Sequence, residues 1–235
     1  MSSIESILDE VKRQKRTVLT YEESRNVMEL AGIPLNIMKV AKDLEESIQQ
    51  ANKVGYPIVL KVISEDVIHK SDSGGVKVGI ISDDELSKAY QEMMDGVLSF
   101  YPHAKIEGVS VEEMVSGVEI LIGTNTDSQF GKMIALGIGG IFVEVYKDVS
   151  FRLIPVSSKD VQDMIDEIKG KAMFDGFRGL PKVNLDELTS LILTISNLIE
   201  TYPIIFEMDL NPVVATEGGL RAIDARIILE PNKTD

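Results

Sequence analysis

Two strand-like stretches flank a single turn at residues 216–219, near the end of the chain. Their sequences are IIFEMDLNPVVA and LRAIDARIIL. Residues at equal distances from the centre of an antiparallel hairpin face each other, so Asn211 and Asp224 are predicted cross-strand neighbours. Asp209 is predicted on the same face because strand side chains alternate. This symmetry is the most specific structural constraint in the sequence, although a bulge at Pro212 would shift the register.

The predicted Asn211–Asp224 pair has two interpretations. An amide oxygen beside a carboxylate forms part of a hard-oxygen site suited to Mg²⁺, which keeps water ligands and takes its other ligands from phosphates. The alternative is a polar pair on a solvent-exposed sheet face. Asp209 would add negative charge to that face, which favours the magnesium interpretation.

The charge balance excludes several classes of protein. The chain has 235 residues, with 24 Lys and Arg against 38 Asp and Glu, for a net charge of −14. Nucleic acids and anionic membranes require basic surface, so neither is an expected partner. There is no cysteine and there are two histidines, which excludes a disulfide framework, a thiol nucleophile and a His-rich metal site. No apolar run suits a signal peptide or a membrane span, and we expect a cytoplasmic protein.

The order of helical and strand periodicity predicts an α+β fold. A capping box formed by Thr20 and Glu23 predicts the start of a helix that ends at Gly32. There is no internal repeat or linker, so we expect the two halves to be lobes of one folding unit. Further helices are predicted at 4–14, 43–54, 83–98, 159–170 and 185–200. Strands are predicted in LNIMKVA, YPIVLKVI, VKVGII, GVSVEEMV, VEILIGTNTD, GKMIALGIGGIFVEVYKD, VSFRLIPVS and the two stretches of the hairpin.

Lys61 and the loop after it carry possible phosphate chemistry. Lys61 lies in the apolar strand YPIVLKVI, where it either reaches solvent from the strand end or serves as a fixed cation for a phosphate. The loop 64–75 contains Ser71, Gly74 and Gly75, whose hydroxyl and backbone N–H groups could bind an anion. His69 in the same loop could form a phosphoryl intermediate. The alternatives are an ordinary loop between strands and a surface histidine.

Two carboxylates lie among the apolar residues of VEEMVSGVEILIG. Simple alternation would place Glu112 and Glu119 on a solvent-exposed face. Alternatively, the backbone of this segment contacts a base and Glu119 accepts hydrogen bonds from ribose hydroxyl groups, as acidic residues do in dinucleotide sites.

These stretches, in this order, resemble the ATP-grasp fold. HKSDSGGV, GIGGIFVEVYKDVSFRLIP and DLNPVV resemble the nucleoside-diphosphate-forming acyl-CoA synthetases, in particular the β subunits of ADP-forming acetate–CoA ligases. The resemblance covers residues from about 15 to 230. It implies two lobes, each a mixed or antiparallel sheet with helices, and a nucleotide bound between them. We expect the phosphate-loop lobe at about 22–108 and the other lobe at about 1–21 plus 109–235.

The resemblance implies a phosphate-binding group in the first lobe. Lys61 matches the lysine on the nucleotide phosphates, and Gly74 and Gly75, with Ser71, match the loop that covers them. His69 matches the histidine that relays a phosphoryl group within this subunit.

The resemblance also implies residues for the base, the ribose and the metal. Glu112 and Val115 match the interlobe hinge whose backbone contacts adenine, and Glu119 matches the ribose-binding acid. Asn211 and Asp224 match the Mg²⁺ ligands.

The resemblance further implies the reaction acyl-CoA + ADP + phosphate ⇌ acid + CoA + ATP. Asp148 and Arg152, in KDVSFR, match a segment near the active site, and Asp209 is a third candidate there. The CoA-binding half and its principal phosphohistidine are absent from the sequence, so a separate α subunit is expected, in an α₂β₂ complex. Alternatives are a succinyl- or malyl-type ligase β subunit, a detached domain of a fused synthetase, and a non-catalytic nucleotide-binding regulatory module.

Overall fold

The computed structural model describes residues 3–64, 66–67, 70–140, 147–176 and 179–231. Six α-helices occur in these ranges, together with one 3₁₀ helix at Lys171–Asp175. The α-helices are α1 (Ile4–Arg13), α2 (Tyr21–Leu30), α3 (Leu44–Val54), α4 (Asp83–Phe100), α5 (Ser158–Glu167) and α6 (Leu185–Thr201). The strands are β1 (Met38–Ala41), β2 (Ile58–Ile63), β3 (Val76–Ile80), β4 (Gly108–Glu113), β5 (Val118–Asp127), β6 (Gly131–Ile138), β7 (Val149–Leu153), β8 (Ile205–Thr216), β9 (Gly219–Ala222) and β10 (Arg226–Leu229).

The chain forms two compact units, and the smaller unit comprises residues 36–114. Its antiparallel sheet has the order β1-β4-β2-β3. Ile58, Leu60 and Val62 alternate along β2 and enter the core that α3 and α4 also line. Lys61 therefore lies on the opposite face of the sheet from the helices.

The larger unit comprises residues 1–35 and 115–235. Its six-stranded sheet has the order β10-β8-β5-β6-β7, and β9 pairs with β8. Val118, Ile120 and Ile122 of β5 share one core with α1, α2, α5 and α6. The intervening residues of β5, which include Glu119, therefore lie on the face away from the helices.

Local capping explains where α2 begins and ends. The Glu23 N–H donates to the Thr20 hydroxyl at 3.2 Å, and the Thr20 N–H donates to the Glu23 carboxylate at 2.7 Å, which confirms the predicted capping box. Gly32 follows with φ of +79°, a conformation that favours glycine after a helix.

The unit boundaries differ from the predicted lobe boundaries. Residues 22–35 belong to the larger unit, because Val27 and Met28 of α2 are buried in the larger core. Residues 109–114 belong to the smaller unit, because Val109 and Val111 of β4 are buried in its core. The predicted single strand LRAIDARIIL is two strands, β9 and β10, that pair with different parts of β8.

No helix within the described ranges is long and apolar enough to cross a membrane.

Candidate functional site

Lys61 forms an ion pair with Glu112 on the face of the smaller sheet opposite the helices. The distance from Lys61 Nζ to Glu112 Oε2 is 3.0 Å, and 14% of the Lys61 side chain and 1% of the Glu112 side chain are exposed. The pairing of β2 with β4 places Lys61 opposite Ser110 and Val59 opposite Glu112, so the two charges are diagonal neighbours across adjacent strands. This geometry contradicts the interpretation of Lys61 as a lysine that simply reaches solvent.

Two further donors hold the Glu112 carboxylate. The Ser110 hydroxyl donates to Oε1 at 2.7 Å, and the Asn36 side-chain amide donates to Oε2 at 3.2 Å. Burial of a carboxylate is costly unless it is paired and hydrogen-bonded, and here both conditions are met. Glu112 therefore has a side-chain role that alternation alone did not predict. Its predicted backbone contact with adenine stays a prediction.

The glycines of the predicted phosphate loop, Gly74 and Gly75, take part in a tight turn. The Gly74 N–H donates to the Ser71 carbonyl at 3.2 Å, and the Gly75 N–H donates to the Lys70 carbonyl at 2.6 Å. A Cβ atom on Gly75 would lie 2.7 Å from Cγ1 of Val62. The structure thus gives Gly75 a packing role and uses the N–H groups of both glycines within the turn. Their binding of phosphate remains a prediction.

The loop contains two further candidates. Ser71 is exposed at the turn. His69 lies outside the described residues.

Glu119 lies against a pair of glycines, Gly139 and Gly140, that directly follow β6. The Gly139 N–H donates to the Glu119 carbonyl at 2.7 Å. A Cβ atom on Gly139 would lie 2.9 Å from the Glu119 Cβ, and one on Gly140 would lie 2.8 Å from Oε2. The Gly139–Gly140 pair therefore leaves room for the Glu119 side chain beside the β6 end. Val115 is the first residue of the larger unit after the smaller one.

The predicted hairpin register is confirmed on both sides of Asn211 and Asp224. Thr216 pairs with Gly219 and Val213 with Ala222, and on the far side Asp209 pairs with Arg226. All these pairs have the same centre, between residues 217 and 218. Asn211 and Asp224 lie in the gap between the two ladders, and both are exposed.

A bulge in β8 coincides with Asn211. Ile120 of β5 pairs with Val213 and Ile122 pairs with Leu210, so Asn211 and Pro212 together oppose one residue of β5. Proline cannot donate to a ladder, and such bulges redirect side chains next to functional sites. The bulge predicted at Pro212 is therefore present, and it leaves the hairpin register with β9 and β10 intact.

Asp209, which is also on β8, lies near other negatively charged side chains. Burial raises the pKa of its carboxyl group, and the nearby carboxylates of Glu207 and Asp224 raise this pKa further, whereas Arg226 opposes the shift. The Asp224 carboxylate is therefore near enough to Asp209 to contribute to this upward shift of its pKa. Glu207 was not named as a candidate, although it is two residues from Asp209 in the same strand.

The side-chain oxygens of Asn211 and Asp224 suit a Mg²⁺ ion whose coordination is completed by a phosphate. Among the described residues, no three His, Cys, Asp or Glu side chains form a group able to hold a metal alone. Asn211 and Asp224 supply two hard oxygen donors, and Mg²⁺ is commonly held by one or two protein ligands with water and substrate phosphates. The pair is thus suited to a metal that arrives with a nucleotide.

Asp148 and Arg152 have structural partners in the larger unit. The Asp148 carboxylate accepts the backbone N–H groups of Lys169 at 3.0 Å and Gly170 at 2.8 Å. Arg152 donates to both carboxylate oxygens of Glu167 at 3.0 and 2.6 Å. The hydrogen bonds from Arg152, together with one from the Ser150 hydroxyl, lower the pKa of Glu167 to about 2. The predicted position of Asp148 and Arg152 near an active site stays a prediction.

Comparison with known proteins identifies the class of fold. The protein-family model that describes the ATP-grasp domain matches residues 10–229 of this chain. Acetyl-coenzyme A synthetase 1 of Candidatus Korarchaeum cryptofilum, solved with coenzyme A, Ca-AMPCP and HgCl⁺, is 40% identical with a TM-score of 0.91, over 97% of this chain and 100% of that one. Another structure of the same protein contains Mg-AMPPCP, and its phosphohistidine segment points towards the nucleotide-binding site. It is 36% identical with a TM-score of 0.83, again over 97% and 100%. The chain belongs to the ATP-grasp domain family.

Similar ligases identify the family to which the chain belongs within the ATP-grasp proteins. The β subunit of ADP-forming acetate–CoA ligase I from Pyrococcus furiosus is 39% identical, over 95% of this chain and 96% of the relative. The ADP-forming 4-hydroxybutyrate–CoA ligase of Nitrosopumilus maritimus is 41% identical, over 94% of this chain and 32% of that longer protein. Within the ATP-grasp proteins, the chain belongs to the family of ADP-forming acid–CoA ligases and their β subunits. In the Pyrococcus relative this domain is one subunit of the ligase.

The electrostatics of Asp209 lead to a testable prediction. Replacement Asp224→Asn removes one of the negative charges that raise the pKa of Asp209, so this pKa should fall in the variant. Side-chain ¹³C chemical shifts of Asp209, followed as a function of pH, measure the change. The variant Asp186→Asn alters an exposed carboxylate at the start of α6 and should leave the titration of Asp209 unchanged. An identical titration in wild type and Asp224→Asn would show that the two carboxylates do not interact.

Proposed function

We propose that this chain handles the nucleotide in an ADP-forming acid–CoA ligase and needs a CoA-binding α subunit to complete the reaction. The observation that carries the proposal is the position of Lys61. Its ammonium group is held by a buried carboxylate on the sheet face opposite the helices. A cation on a rigid strand, with its position fixed, suits the developing charge of a transferring phosphoryl group.

The larger unit supplies the other proposed contacts. Glu119 would accept hydrogen bonds from the ribose, with Val115 near the base. Asn211 and Asp224 would hold Mg²⁺, which when bound would neutralise phosphate charge and orient the phosphoryl group. Asp209 would add to the negative field that favours a cation, because its neighbours Glu207 and Asp224 are also acidic.

The proposed chemistry in the ATP-forming direction is phosphoryl transfer from a histidine to ADP. A terminal β-phosphate oxygen of ADP attacks phosphorus, the phosphorus–nitrogen bond breaks, and the imidazole leaves as the phosphorus–oxygen bond of ATP forms. His69 is the proposed carrier in this chain, and the principal phosphohistidine would belong to the α subunit. Neutral imidazole is the nucleophile in the reverse direction, so phosphorylation should weaken at low pH. An α₂β₂ complex is the proposed assembly.

The need for a partner gives the first test of this proposal. The purified chain should release no CoA from acetyl-CoA, ADP and phosphate, and neither should the CoA-binding α subunit of the same organism alone. Mixing the two should produce CoA and ATP in equal amounts, because each supplies one half of the reaction. A spectrophotometric thiol assay for CoA measures the outcome. Full activity from the chain alone would contradict the proposal.

The role of His69 gives the second test. The mixed subunits are incubated with ATP labelled in the γ-phosphate and with Mg²⁺, then separated at alkaline pH. Phosphohistidine survives alkali and is lost in acid, so acid-labile label is expected on this chain. His69→Ala should abolish the label, whereas His103→Ala, which changes the other histidine of the sequence, should retain it. Normal turnover by His69→Ala would mean that phosphate passes directly between the α subunit and the nucleotide.

A further inference from the structure

The Lys61–Glu112 pair is more deeply buried than a surface ion pair. One per cent of the Glu112 side chain is exposed, and β4, which carries it, is flanked by β1 and β2. A buried ion pair is weak evidence for stability, because loss of hydration offsets much of the attraction between the charges. Its presence therefore calls for a role other than stabilisation of the sheet.

The carboxylate is restrained from three directions within the smaller unit. Lys61 approaches from β2, Ser110 from the same strand as Glu112, and Asn36 from the segment before β1. Two of these partners lie on strands whose registers are fixed by continuous pairing. A side chain held by several hydrogen bonds on rigid elements can in turn hold its own partner in one place.

An ammonium group has three N–H donors. The bond to Glu112 therefore does not exclude bonds from Lys61 to a ligand. It does restrict the directions in which the ammonium can point, because the long lysine side chain would otherwise sample many rotamers. The entropy of ordering Lys61 would then be lost on folding and not on ligand binding.

We propose that Glu112 is a positioning residue that holds the Lys61 ammonium in place for the nucleotide phosphates, with Ser110 and Asn36 orienting the carboxylate. This inference rests on the proposed function, in which Lys61 contacts those phosphates. It gives the Glu112 side chain a part in nucleotide binding through Lys61. Removal of the negative charge should therefore weaken nucleotide binding, even though phosphate is itself an anion. Simple electrostatic repulsion between Glu112 and the phosphate predicts the opposite sign.

A double-mutant cycle tests whether Glu112 acts through Lys61. Mg-ADP affinity of the full chain is measured by calorimetry for wild type, Glu112→Gln, Lys61→Ala and the double variant. Glu112→Gln should weaken binding by about tenfold when Lys61 is present. It should change binding by less than about twofold in the Lys61→Ala background, where there is no ammonium to position. Equal loss in both backgrounds would mean a merely structural role and overturn the inference.

Two controls separate positioning from damage to the fold. Glu113→Gln makes the same substitution at the adjacent residue, whose carboxylate accepts the Ile37 N–H at 3.0 Å, and it should bind Mg-ADP as wild type does. Glu112→Asp keeps the charge and should recover part of the affinity lost in Glu112→Gln. If Glu112→Gln fails to fold, Glu112→Asp replaces it in the cycle, with a smaller loss expected and the same dependence on Lys61.

A measurement made without nucleotide tests the Lys61–Glu112 ion pair separately from the proposed function. Competitive acylation followed by mass spectrometry gives the reactivity of Lys61 relative to Lys88, whose side chain is 80% exposed. This ratio should rise several-fold in Glu112→Gln, because an ammonium freed from its ion pair is more accessible to the reagent. A raised ratio in a chain that does not bind Mg-ADP would overturn the proposed function and leave the pair as a structural contact. An unchanged ratio, with Mg-ADP bound normally by both proteins, would overturn the inference alone.

Discussion

Strand β8 carries Asp209 and Asn211, and its pairing with β9 and β10 fixes the two ends of the segment that contains Asp224. It pairs with β5 along one edge and with β9 and β10 along the other, so its register is fixed from both sides. Its irregularity opposite β5 falls at Asn211 and Pro212. A one-residue slip would move every side chain to the opposite face, so this double pairing is what keeps the acidic residues away from the helices.

In the smaller unit, a cation lies on one face of a sheet whose other face packs against an apolar core. Lys61 alternates with the core residues Leu60 and Val62, and it is compensated by Glu112 on the next strand. The two units therefore carry complementary chemistry. One presents a fixed ammonium group, and the other presents carboxylate and amide oxygens that suit a divalent cation. In the proposed function, the ammonium group would bind a nucleotide phosphate, and the carboxylate and amide oxygens would bind Mg²⁺.

Features that depend on residues close together in the sequence could be predicted from it, whereas features that depend on distant segments could not. The hairpin symmetry around residues 216–219 depends on one turn, and the Asn211–Asp224 arrangement follows from it. The Lys61–Glu112 pair depends on which strands become neighbours, and β2 and β4 are separated by a strand and a helix. The predicted lobe boundaries differ from the boundaries of the two compact units for the same reason, since the core that buries α2 is formed largely by distant segments. The use of the Gly74 and Gly75 N–H groups within a turn depends on backbone angles that the residue types do not determine.

The central claim is the proposal that Lys61 binds a nucleotide phosphate and that Asn211 and Asp224 bind Mg²⁺. A crystal structure of the chain with ADP and Mg²⁺ tests this most directly. The account predicts the Lys61 Nζ within hydrogen-bond distance of a phosphate oxygen while still paired with Glu112. It also predicts Mg²⁺ coordinated by Asn211, Asp224 and at least one phosphate oxygen. A nucleotide bound away from Lys61, or a metal bound to other side chains, would contradict it.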